Sequence, residues 1–426
     1  MAPTTTPAAA HDLTATIAAY LDPQLLVPVL EHLADAGVHP KKDVLAQLYH
    51  VLESSTTQAD KAVAVAAAIK AAGGKAPNTA ALKARAETAA AALAEPSPAV
   101  NAIVDALSGA SSEQLRTDRS TLAAWVCDQC QCEAADIDAV YAHGRAHYAA
   151  GNFKEAATIL DLYRRVCTNS EQYLAAQWGR LAAHILAGED QTALEFSGRV
   201  RDAIENAPLA SQSHTLQQRL WLLHWSLFVY FRSSFDGALD KAMETLTHPT
   251  NTNVIETAAP HLLRYVVAAS VLTSYKNTRD IARYAAQERY RVSDPLCAVY
   301  EHLFNNVDLD AVATALAAAE LTVRADYFLA PHADAIMAGL RKQVLQVLGN
   351  VFVTLPASQL ATYLALDATA LDAFVTDLEF VSISADDVAV FSQPSAARRS
   401  VLDKVDKLSH RSDTSLASLY KKVSSQ

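Results

Sequence analysis

The run Leu216–Phe231, LQQRLWLLHWSLFVYF, constrains this chain more than any other segment. It is as long as a helix, and its main polar interruptions are Gln217, Gln218, Arg219 and His224. Trp221, Trp225, Phe228, Tyr230 and Phe231 recur at mixed helical spacing, the pattern of aromatics that fill the junction between packed helical hairpins. The strongly apolar part, Leu220–Phe231, is too short to span a bilayer and holds His224. The segment is therefore a core helix that needs helical neighbours.

Composition supplies such neighbours. Half of the 426 residues are apolar, only 19% are charged, and there are just 12 glycines. Packed helices use Ala and Leu freely and keep Gly and Pro out of their interiors. A doubly wound α/β enzyme needs more glycine for its phosphate loops and strand–helix turns. The length exceeds one ordinary core, so two or three domains are expected. A formal net charge of −11 argues against a free-standing nucleic-acid binder, whose affinity comes from neutralising phosphates. Cysteines number five, an odd count, and no secretory leader is evident, so free thiols in a reducing, cytoplasmic compartment are expected, with no membrane span.

Along the chain, residues 1–10 read as a disordered Thr/Pro/Ala tail with nothing to pack. Residues 11–110 form an N-terminal helical region. Leu13, Ile17, Tyr20 and Leu21 recur at helical spacing, Asp22-Pro23 restarts the helix, and Gly37 closes it. The Ala-rich stretch 59–110 is expected to be helical and loosely packed, because alanine buries little area. Residues 111–334 read as a helical-repeat solenoid of about six hairpins. Gly151 and Ala156 follow Tyr148 in the order of a tetratricopeptide-like turn, and Gly188 and Ala193 repeat that spacing one repeat length later.

The texture changes after Asp334. A long helix over 335–353, short helices at 359–364 and 371–378, and two alternating strands, Phe380–Ser384 and Val388–Phe391, spell a winged helix over 335–394. Residues 395–426 form a last helix. Val401, Val405, Leu408, Leu416, Leu419 and Val423 lie near heptad spacing along it. The fold class is thus all-α: helical hairpins ending in a small winged-helix subdomain and a C-terminal helix.

Chemistry is nearly absent. Cys127, Cys130 and Cys132, with His143 or His147 as a fourth ligand, are the best metal candidate, but the second ligand pair of a zinc site is missing. His143 and His147 share a helix face, yet Gly144 stands where a zincin carries its glutamate. No phosphate-loop, dinucleotide or nucleophile-elbow motif occurs. No catalytic residue, metal or cofactor is nominated, and an enzyme is not expected. The candidate recognition helix, 367–379, carries Asp367, Asp372, Asp377 and Glu379 with no Lys or Arg, so it suits protein docking better than DNA.

Several segments closely resemble one family, the e subunit of eukaryotic translation initiation factor three, within the PCI group. They are 12–33, Gly151-Asn152-Phe153, 217–231, Pro260–Tyr265 and Asp294-Pro295, followed by Asp326–Leu329 and Lys407–Ser409. The resemblance implies a scaffold on the small ribosomal subunit whose winged helix pairs with neighbouring PCI subunits and whose C-terminal helix joins a shared bundle. From the acidic balance, direct RNA contact is expected to be minor or local. The partner-binding residues it points to are the stripe Val401, Val405, Leu408, Leu416, Leu419, Val423, together with Val388 and Val390 on the wing. Rival readings are a scaffold of the proteasome lid or signalosome, or an mRNA-export module that uses the winged helix on nucleic acid.

Overall fold

The computed structural model describes residues 7–391 apart from 76, 111–117, 207–210, 377, 379, 385 and 386. The chain divides into two compact units. One comprises Met1–Val307 with Ala315–Gly339, and the other Asp308–Thr314 with the residues from Leu340 onward.

The first unit opens with a 3₁₀ turn, Pro7–His11, whose Ala8 and Ala9 pack against the N-terminal core. A tail with nothing to pack was expected there, but two alanines suffice when a preformed apolar surface lies beside them. Helix α1 (Thr14–Ala18) is shorter than the periodicity implies, and Tyr20 falls in the turn after it. The restart occurs as read: the Asp22 carboxylate accepts from Gln24 N at 2.9 Å, Pro23 is the first residue of α2 (Pro23–Ala36), and Gly37 ends that helix at φ 68°. Helices α3 (Lys41–Ser55) and α4 (Ala59–Ala71) complete one core through Leu45, Leu48, Leu52, Val65 and Ile69. The Ala-rich helix α5 (Ala80–Ala94) buries only Leu82. Its successor α6 (Pro98–Gly109) joins a second core through Val100, Ile103 and Leu107. The stretch expected to pack loosely is thus divided between two cores, with α5 as its thin member.

Five helices then follow: α7 (Arg119–Cys130), α8 (Ala134–Ala150), α9 (Phe153–Val166), α10 (Ser170–Ala187) and α11 (Asp190–Glu205). With α12 (Gln212–Phe231), each from α8 onward packs on the next, and α10 also touches α8 and α12, so the helices stack in a row. The two repeat turns are equivalent. Gly151 and Gly188 are left-handed caps at φ 91° and 72°, and Ala156 and Ala193 are both fully buried one turn later. Two further glycines matter for closeness: a Cβ on Gly144 of α8 or on Gly179 of α10 would lie 3.0 Å from opposite methyls of Leu160 on α9. Helices α13 (Ala238–Leu246), α14 (Pro249–Ala258), α15 (Leu263–Leu272), α16 (Thr278–Glu288) and α17 (Pro295–Tyr300) continue the unit. They lead to α18 (Leu309–Ala325) and α19 (Ala333–Val351), the last being the long helix read from the sequence.

The second unit holds β1 (Thr354–Pro356), α20 (Ala357–Leu364), α21 (Ala368–Thr376), β2 (Val381–Ile383) and β3 (Val388–Phe391). The sheet is antiparallel in the order β1-β3-β2, with Thr354 and Ser382 flanking Val390. Two strands were expected, and the described residues hold three. Strand β1 is three residues long and ends on a proline, too little for any alternation to register. Leu355, Val381, Ala389 and Phe391 face inward, where Leu360 and Leu371 are also buried.

Close approach at Leu160 is testable. Gly144→Val should lower stability by about 1–3 kcal/mol through overpacking, read as a reduced urea midpoint. An unchanged midpoint would mean that α8 and α9 can separate at no cost.

Candidate interaction sites

The sequence-predicted wing residues lie on the outward face of the sheet. Val390 is exposed and Val388 half-buried, while Ala389 between them is fully buried. Val353, 72% exposed, offers its carbonyl to Phe391 N at 2.9 Å and so sits at the same end of the sheet as Val390. Val351, 63% exposed, closes α19. Among the described residues, Val351, Val353 and Val390 are the exposed large hydrophobic side chains of this unit. Asp367 and Asp372 beside and on α21 are exposed and acidic, which disfavours a phosphate backbone there. Val401, Val405, Leu408, Leu416, Leu419 and Val423 lie outside the described residues.

The near-miss motifs resolve into helix packing. Cys130 Sγ donates to the Ala102 carbonyl at 3.4 Å. Burial pushes the Cys130 thiol up, and burial with a hydrogen bond to Cys127 pushes Cys132 to about 11, so neither is a ready thiolate. His143 and His147 meet edge to face with Nε2 atoms 3.2 Å apart, and burial lowers both pKa values. Among the described residues, no group of three or more His, Cys, Asp or Glu side chains is arranged to hold a metal ion.

The densest polar chemistry is a buried node in the first unit that sequence reading did not find. Arg264, at the start of α15, is 2% exposed. Its Nε donates to Asp294 at 2.6 Å, its Nη1 to Asp326 at 3.0 Å, and its Nη2 to the backbone carbonyl of His11. Burial alone would depress its pKa, but the two carboxylates outweigh burial and hold it above the ordinary guanidinium value. Each carboxylate has a second task. Asp294 caps α17 by accepting from Leu296 N and Cys297 N, and Asp326 accepts from Phe328 N, Leu329 N and the Tyr265 hydroxyl. Beside it lies a histidine pair. His224 Nδ1 is 2.6 Å from the Leu220 carbonyl and must donate to it, so its Nε2 is bare and accepts from His261 Nε2 at 2.8 Å. Tyr20 stacks on His224 at 4.1 Å, and Trp225 Nε1 donates to the Tyr20 carbonyl at 2.9 Å. The segments that carry the resemblance in the described residues converge here: 12–33, 217–231, Pro260–Tyr265, Asp294-Pro295 and Asp326–Leu329. The remaining described one, Gly151-Asn152-Phe153, follows Tyr148, whose hydroxyl donates to Asp22 at 2.7 Å.

Comparison with known proteins agrees with that convergence. Residues 12–146 match the family described as eIF3 subunit 6 N terminal domain. Over 418 residues the chain is 27% identical to the E subunit of eukaryotic translation initiation factor 3 from Yarrowia lipolytica, covering 94% of this chain and 97% of the relative. Its identity to the E subunit from Cryptococcus neoformans is 28%, over 84% of this chain and 79% of the relative. For the one from Arabidopsis thaliana it is 26%, over 76% and 73%. Over most of its length the chain is thus similar to E subunits of initiation factor 3.

The node bears on stability and on its pH dependence. Arg264→Met would strand two buried carboxylates and should cost about 3–5 kcal/mol. A lowered denaturation midpoint of the full chain is the readout, and a wild-type midpoint would show the triad to be dispensable. Burial, with Arg264 beside His261, lowers His224 to about 3 and His261 to about 4, against 6.5 for a free imidazole. Above pH 6.5 both are neutral in the folded and unfolded chain, and their stabilisation is complete. As pH falls from 6.5 toward 4 only the unfolded chain takes up the protons, so stability declines by up to about 1.4 kcal/mol per pH unit for each histidine. His224→Gln should flatten that slope; an unaltered slope would assign it to other groups.

Proposed function

We propose that this chain is a non-catalytic scaffold subunit of the cytoplasmic translation initiation factor three complex, holding other subunits in place on the small ribosomal subunit. The observation that carries this reading is the nearly end-to-end similarity to E-subunit relatives. The architecture supports it. The row of stacked helices is a solenoid of hairpins, and β1, α20, α21, β2 and β3 in the sheet order β1-β3-β2 have the connectivity of a winged helix, as in the PCI group.

On this reading the outward sheet face with Val388 and Val390 meets a neighbouring PCI subunit. The stripe Val401, Val405, Leu408, Leu416, Leu419, Val423 joins a shared helical bundle, since an apolar stripe left unpaired invites association. Direct RNA contact is minor, because the acidic surface near α21 repels phosphates. Among the described residues no helix is long and apolar enough to cross a membrane.

Affinity purification of the tagged chain from cell extract, followed by mass spectrometry and a sucrose gradient, tests the proposal. Initiation-factor subunits moving with small ribosomal subunits are expected, and proteasome-lid, signalosome or export subunits in their place would overturn it. In the same experiment Leu408→Asp should detach the chain and Val390→Lys should weaken recovery of a PCI neighbour. Full recovery with either variant would remove that face from the docking surface.

A further inference from the structure

A groove of about 1250 Å³ opens in the first unit among α7, α9, α10, α11 and α12. Tyr173, Trp178 and Trp221 line it, with Arg119, Arg164 and Arg199 around them. That volume exceeds the usual pocket for a small molecule and suits an extended chain segment.

The charge around the groove is unbalanced. A single carboxylate, Asp161, serves three guanidiniums: Arg164 at 2.8 Å, Arg165 at 2.6 Å and Arg180 at 2.7 Å. Arg199 is half-exposed, reaches Glu195 only at 4.0 Å, and lies 4.6 Å from the Phe196 ring centroid. Arg119 is exposed and sits 3.8 Å over the Tyr173 ring; it acts on its neighbour Asp118 through charge but makes no ion pair within 4.0 Å among the described residues. The lining carboxylates are Glu171 and Asp202, and Asp202 already accepts from Arg201 at 3.4 Å. A chain of net charge −11 thus keeps a local excess of guanidinium at one groove, and a partner that complements it must be anionic.

The rings decide which anion. Single-stranded nucleic acid is held on open aromatic faces where bases stack. Here the face of Tyr173 is covered by Arg119. Trp178 is 8% exposed, meets Trp225 edge to face at 4.7 Å, and spends its indole N–H on Gln218 Oε1 at 2.7 Å. What remains for a ligand is guanidinium forks, which match carboxylates in geometry, and apolar ring edges. We propose that the groove binds an acidic peptide segment of a partner protein. Arg119, Arg164 and Arg199 take its Asp or Glu carboxylates, and an apolar side chain of the segment packs on Trp178 and Trp221. The proposal stands on the groove alone and does not rest on the assembly reading above.

Fluorescence anisotropy on the purified full chain tests it, with three fluorescein-labelled probes: a peptide alternating Glu with Leu and Phe, the same peptide with Lys for Glu, and an oligouridylate of equal charge. Preference for the acidic peptide is expected, with affinity falling as salt rises. Arg119→Glu and Arg199→Glu should each weaken it about tenfold, while circular dichroism reports an unchanged thermal midpoint. Trp221→Ala should abolish the shift in tryptophan emission on binding. If Arg119→Glu lowers the thermal midpoint, the half-exposed Arg199→Ala carries the comparison instead. Equal binding of the acidic and basic peptides, or indifference to the arginine variants, overturns the proposal. Tighter binding of the oligouridylate overturns it in favour of RNA.

Discussion

One guanidinium ties together parts of the chain that sequence keeps far apart. Arg264 reaches the N-terminal turn at His11, the cap of α17 at Asp294 and the turn after α18 at Asp326. Helical hairpins can stack by local contacts alone, each helix on the next, and such a row has no built-in way to bring its first residues to its middle. The buried triad supplies that long-range closure. It is a costly device, since desolvating three charges offsets most of their attraction, and apolar residues of similar volume can be equally stable. A guanidinium adds direction. Its fork accepts only partners in fixed positions, so the triad selects one docking of the N-terminal turn where an oily contact would tolerate several. The histidine pair repeats the logic without charge: the two imidazoles share one proton between Nε2 atoms only while His224, donating from Nδ1 to the Leu220 carbonyl, keeps its own Nε2 bare.

The parts legible from sequence are those whose cause is local. Gly151 and Gly188 announce left-handed caps, Asp22 and Pro23 a helix start, and the run 217–231 a buried helix, because backbone conformation and hydrophobic period act over a few residues. Val388, Ala389, Val390 and Phe391 alternate as a strand with one face inward, and the structure has that strand. The parts missed depend on partners remote in sequence. Thr354–Pro356 becomes a strand because β3 lies beside it, and three residues carry no period of their own. Ala8 and Ala9 pack because an apolar surface reaches them, and composition alone describes them as tail. Nothing in the neighbourhood of Arg264 marks it as buried. The one hint lay in the resemblance, which picked out Pro260–Tyr265, Asp294-Pro295 and Asp326–Leu329 without saying that they touch.

The same division separates interior from exposed surface. In the first unit the aromatic helix α12 spends its polar atoms inward: Trp225 on a backbone carbonyl, His224 on His261, Gln218 on Trp178. Elsewhere in that unit Tyr290, Val307 and Leu321 stay exposed, and guanidinium excess surrounds the groove. In the second unit the arrangement is reversed. The sheet closes its inner face with Leu355, Val381, Ala389 and Phe391 and leaves Val351, Val353 and Val390 outside. Exposed valines cost solubility, because apolar surface left in water invites association. A net charge of −11 opposes that self-association by keeping copies of the chain apart. On the proposed reading, a partner for this face would contribute shape and apolar area. A second copy would bring the same net charge of −11, which disfavours homotypic pairing most at low salt.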